Sequence, residues 1–126
     1  MIGSLTYKMH SSYGPDFLYN VEGLAHLEGP ILEIVDFGLE SFVYKDAHDL
    51  QIVLKDNVKM ARAQGAKTLV VYVAFGDNLQ AFSESDAEDS VVGIYQALGL
   101  EVVYEDVDVA VLVGEDVPCL VNRMGA

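Results

Sequence analysis

The side chains able to do chemistry are spread thinly along this chain. Three histidines, His10, His26 and His48, lie sixteen and twenty-two positions apart. No pair has the spacing that puts two metal ligands on one helix or hairpin, so each reads as a surface or partly buried imidazole and no metal is expected. Glu84-Ser85-Asp86-Ala87-Glu88-Asp89 gathers carboxylates, but without the D-x-[DN]-x-[DN]-G order that wraps them around calcium. Ser85 and Glu88 instead have the spacing of a capping box, and acids in a first turn suit the helix dipole. The single cysteine, Cys119, stands close to Glu115 and Asp116, whereas a reactive thiolate needs electropositive surroundings. No nucleophile elbow, P-loop or dinucleotide fingerprint is present. Tyr44, Tyr72 and Tyr95 remain, on elements that could share a pocket; a phenol can pass a proton, and it is also a common aromatic at the core edge.

The elements that must position these groups are organised around Thr68 to Phe75. This apolar run is rich in β-branched residues and too short for an ordinary helix, so it reads as a central strand covered on both faces. Before it, Leu50, Val53, Leu54, Val58 and Ala61 form one helical stripe, with Asp46 as N-cap and Gly65 as stop. After it, Ala87, Val91, Ile94, Tyr95 and Leu98 mark a second helix that ends in a Schellman turn at Gly99-Leu100. Glu101 to Val113 reads as two strands with a turn near Glu105 to Asp108. Ile2 to Met9 reads as an edge strand, Phe17 to Leu27 as a strand bent at Gly23, and Ile31 to Val35 as a strand. Asp36 to Glu40 closes a hairpin onto Ser41 to Tyr44. The expectation is one α+β (α/β) domain over residues 1–126, with a mixed central sheet of about six to seven strands. It has an N-terminal antiparallel meander and two main helices.

Composition narrows the partners. Seven Lys and Arg stand against twenty Asp and Glu, a formal charge of −13. Phosphate backbones and anionic membranes are bound through basic side chains, so neither nucleic acid nor membrane is expected, whereas a small cationic ligand suits the field. The apolar fraction is 52%, yet no apolar run reaches the roughly eighteen residues of a membrane span. The surplus predicts a homo-oligomer, most simply a dimer. Met1 to His10 lacks a basic stretch followed by an apolar core, so no signal peptide is read and a cytoplasmic location is expected.

The stretches Ala61-Arg62-Ala63-Gln64-Gly65-Ala66-Lys67-Thr68-Leu69 and Ile94-Tyr95-Gln96-Ala97-Leu98-Gly99-Leu100-Glu101-Val102-Val103 carry a family resemblance. In their order of hairpin, long helix, apolar strand, helix and two strands, residues 31–113 resemble the core of the GNAT acyltransferases. The resemblance implies acyl-CoA as cofactor, Tyr95 as general acid and Tyr44 and Lys45 at the cofactor loop. That loop, Tyr44-Lys45-Asp46-Ala47-His48-Asp49-Leu50, holds two aspartates and no glycine, an arrangement that repels pyrophosphate and blocks approach to the backbone amides. The leading expectation is therefore a non-enzymatic α/β domain, without cofactor, that binds a small ligand or a protein. The alternative is an acyl-CoA-dependent N-acyltransferase with an atypical cofactor site.

Overall fold

β-branched residues favour extended backbone, and Thr68–Ala74 forms the middle strand, β3, of a mixed five-stranded sheet. A computed structural model describes residues 5–19, 21–37, 47–74, 91–106 and 109–123. The other strands are β1 (Leu5–His10), β2 (Ile31–Phe37), β4 (Glu101–Glu105) and β5 (Val109–Gly114), in the spatial order β1-β2-β3-β5-β4. Only β2 and β3 run parallel; the other three pairings are antiparallel. Among the described residues the α-helices are α1 (Ala47–Ala63), α2 (Val91–Ala97) and α3 (Val117–Arg123).

Both helix stops follow from local chemistry. At the end of α2, Leu100 N–H donates to Tyr95 O and Gly99 N–H to Gln96 O, the paired bonds of a Schellman turn. Gly99 takes φ 109° there, and a Cβ on it would lie 2.5 Å from Leu120 Cδ2. The end of α1 repeats the pattern, with Ala66 N–H on Ala61 O and Gly65 N–H on Arg62 O.

Side chains alternate across a strand, so β3 feeds two cores. Leu69, Val71 and Val73 face a cluster with Leu54, Val58 and Ala61 of α1, Ile94 and Tyr95 of α2, and Leu120 of α3. Val70 faces the other side, with Ile31, Val111 and Val113, under Phe17, Leu24 and Leu27. The central strand is thus covered on both faces, by helices on one and on the other by the segment 11–30, here called the strap.

The strap corrects the expected strand over Phe17 to Leu27. It is irregular, with one 3-10 turn at Glu22–Leu24. Its buried anchors Phe17, Leu24 and Leu27 have no period of two, and Leu18 and Tyr19 between them are 54% and 37% exposed. Where its two ends meet, a Cβ on residue 29 would lie 1.7 Å from Ser11 O, so Gly29 is required. Five strands among the described residues replace the expected six to seven. Among the described residues the N-terminal part of the sheet is one antiparallel pair, β1 and β2, joined through the strap. A third helix, α3, joins the two expected; Pro118 sits in its first turn, where its missing N–H costs nothing. The hairpin to Ser41–Tyr44, Asp46 as N-cap, Phe75 and the Ser85–Glu88 capping box lie outside the described residues.

Candidate functional site

Strand β2 reads Ile31-Leu32-Glu33-Ile34-Val35, and alternation places Glu33 with Ile31 on the strap face. Glu33 is 0% exposed. A buried carboxylate is tolerated only when it is paired and hydrogen-bonded, and here it is bonded from three elements. His10 Nε2, at the end of β1, lies 2.9 Å from Oε1. The Leu18 backbone N–H in the strap donates to Oε2 at 2.7 Å, and the Tyr72 hydroxyl of β3 donates to the same oxygen. The imidazole is held from its face as well, stacked on the Phe17 ring with centroids 4.1 Å apart. Burial first, then the bond to Glu33, push the Tyr72 phenol far above its usual range, so it stays protonated and a donor.

A glutamate, a histidine and a tyrosine in contact resemble a proton relay in composition. A carboxylate has about four lone-pair sites, and three of these are engaged with protein donors beneath the strap. Chemically the cluster is a fastener: it pins the strap to the sheet through the amide of Leu18. The backbone of the next residue, Tyr19, works against the rise in the Tyr72 pKa, and the Tyr19 ring packs tilted against Tyr72 with centroids 4.9 Å apart. Glu33 therefore sets the position of Tyr19.

Tyr19 borders an open cleft of about 740 Å³ where the strap meets β4, within the size range of small-molecule sites. Val21 and Val103 give it apolar lining, Tyr19 and Tyr104 two phenol rings, and Glu22 and Asp106 two carboxylates. Gly23 also lines it and packs onto Val103, whose Cβ is 3.2 Å from where a Cβ on Gly23 would stand. Tyr104 and Asp106 hold one another: the phenol donates to Oδ2 at 2.9 Å, while Oδ1 accepts the Val109 N–H at 2.9 Å. The bond to Asp106 raises the Tyr104 pKa, keeping the phenol neutral. A smaller concavity of about 230 Å³ includes His26, Glu101, Glu115 and Arg123 in its lining, two carboxylates beside one guanidinium.

The residues singled out from sequence are dispersed. Tyr72 and Tyr95 lie on opposite faces of the sheet and share no pocket, because alternation turns Tyr72 to the strap while the stripe of α2 turns Tyr95 to the helices. Tyr95 is 2% exposed; its hydroxyl accepts from Asn57 Nδ2 at 3.2 Å. Burial pushes its pKa up to about 12, against a smaller lowering by Asn57. Tyr44 and Lys45 lie outside the described residues. His26 is exposed, 3.7 Å from Glu115, and Cys119 is half-buried in α3. Among the described residues no three His, Cys, Asp or Glu side chains are placed to hold a metal, and no helix is long and apolar enough to cross a membrane. Sequence reasoning missed Glu33 and its link to His10. The available signal was a carboxylate in the middle of the apolar run Ile31-Leu32-Glu33-Ile34-Val35.

Comparison with known protein families, with curated proteins and with solved structures finds no significant match.

Proposed function

We propose that this chain is a non-enzymatic binding domain that takes a small molecule in the cleft between the strap and β4, and that it works as a homodimer. One observation carries the reading: the cleft is open and lined by held aromatic and acidic groups, while the cluster with catalytic composition is buried and bonded to itself. Catalysis needs a reactive group within reach of substrate. Glu33 has no exposure, and Tyr95, the acid implied by the acyltransferase resemblance, is 2% exposed among α1 and α2. The acyltransferase alternative would also require acyl-CoA phosphates beside Lys45 and the adjacent Asp46 and Asp49, where like charge opposes them. Dimerisation is supported by the 52% apolar composition and by Tyr7 and Met9, 37% and 40% exposed on edge strand β1.

Amide NMR tests the reading with tetramethylammonium, benzylamine, indole, acetate and glucose as separate probes. At least one should move the amides of Tyr19, Gly23, Val103 and Tyr104 together and saturably. If none moves them at about 5 mM, an affinity weaker than about −3 kcal/mol, the cleft is not a binding site.

A further inference from the structure

The chemistry of the cleft narrows its ligand. We infer that it recognises an organic cation of the alkylated-ammonium class, using the ring faces of Tyr19 and Tyr104 and the charges of Glu22 and Asp106. This rests on the cleft being a ligand site, as proposed above.

Three observations converge on that class. Among the described residues of the lining there is no Lys, Arg or His, so none of them would neutralise an anion. Tyr19 and Tyr104 are 37% and 41% exposed, although large aromatic rings gain by burial; both present part of their surface at this one concavity. A ring face carries negative electrostatic potential and attracts a cation most when that cation sheds water easily. An alkylated ammonium has a diffuse charge and methyl groups that can also cover Val21 and Val103. A hard metal ion is a poorer fit. It needs several convergent oxygens, and the described residues contain no group of three such ligands.

The site is also built before any ligand arrives. Asp106 is fixed by the Tyr104 phenol and the Val109 amide, so its charge is held at the cleft. Tyr104 is in turn oriented by that bond. Tyr19 packs against the Tyr72 ring and directly follows Leu18, whose amide is bonded to Glu33. Groups ordered in advance lose little freedom on binding. The formal charge of −13 adds an attractive field at low salt.

The test compares choline with 3,3-dimethyl-1-butanol, its uncharged carbon isostere, by amide NMR titration of the full chain at low ionic strength. Choline should shift the Tyr19, Val103 and Tyr104 amides, and the isostere should bind about tenfold more weakly, as loss of a cation–π contact predicts. Tyr104→Leu should weaken choline about fivefold or more, and Tyr104→Phe, which keeps the ring but loses the bond to Asp106, should weaken it less than Leu does. Glu22→Gln should weaken choline without affecting the isostere. Equal binding of choline and isostere would overturn the cation inference and leave the ligand site standing. Silence from both would overturn it too, and the wider probe set then decides separately whether the cleft binds anything.

Discussion

Replacing Glu33 with alanine removes the acceptor for three donors at once. His10 loses least, because its ring edge is 12% exposed and can turn to water. Tyr72 is half-buried and can recover part of its bond from solvent. The Leu18 amide loses a part-buried bond of 2.7 Å. An unsatisfied buried donor costs about 1–3 kcal/mol, and each bond to a charged acceptor contributes about 1.5–3 kcal/mol. Against these stands the relief of no longer burying a carboxylate, which is substantial. The net expectation for Glu33→Ala is a loss of about 3 kcal/mol, or about 12 °C in Tm for a domain of this size. Glu33→Gln behaves differently. Its amide oxygen can accept from Leu18 and Tyr72, and its NH2 can donate to His10 Nε2 in the neutral tautomer protonated on Nδ1. Its cost should stay below about 1.5 kcal/mol. Urea denaturation gives the energies, and hydrogen exchange at Leu18 reads the strap directly: protection should collapse in the alanine variant and persist in the glutamine one. A Glu33→Ala midpoint within about 1 kcal/mol of the parent, or equal damage from Gln and Ala, would refute the donor accounting.

Gly99→Ala forces a Cβ onto φ 109° and against Leu120, and should cost about 2 kcal/mol in urea unfolding. Gly65→Ala meets open space at φ 84° and should cost only the left-handed strain, about 1 kcal/mol. Stability should fall in alkali, because Tyr95 has its folded pKa raised to about 12 and Tyr72 is raised as well. The folded state keeps protons that the unfolded chain releases, so this contribution is whole below about pH 10 and is lost as pH rises toward 12. The Tyr95 share is about 1.4 kcal/mol per pH unit in that window. Tyr95→Phe should flatten the profile of urea midpoint against pH, and an unchanged slope would discount the buried phenol. Acetyl-CoA should bind no more tightly than about 1 mM in calorimetry at low salt; micromolar affinity lost in Lys45→Ala would revive the acyltransferase alternative, with Tyr95→Phe then testing turnover. Light scattering across a hundredfold dilution series should show dimer mass at the concentrated end, and a monomer throughout would remove the homodimer.

Local chemistry made much of this fold legible in one dimension. The β-branched run of β3, the glycine stops of α1 and α2, and the break between β4 and β5 each depend on a few neighbouring residues, and each lies where pattern placed it. The negative charge and the absence of metal-ligand spacing were likewise properties of composition. The strap was different. Phe17, Leu24 and Leu27 look like strand residues by type, and only the sheet beneath them determines that they anchor an irregular cover. The same holds for the polar cluster. His10, Leu18, Glu33 and Tyr72 are separated by up to sixty-two positions and meet because β1, β2 and β3 are neighbours in the sheet. Glu33 carried a sequence signal in its apolar setting, but its partners carried none, since a hydrogen bond between distant residues leaves no periodic trace. The cleft is further still from the sequence: Tyr19 and Tyr104 border one cavity only because the strap crosses to β4, the far edge of the sheet. Periodicity reports which face a residue takes, and the folded chain alone decides which faces meet.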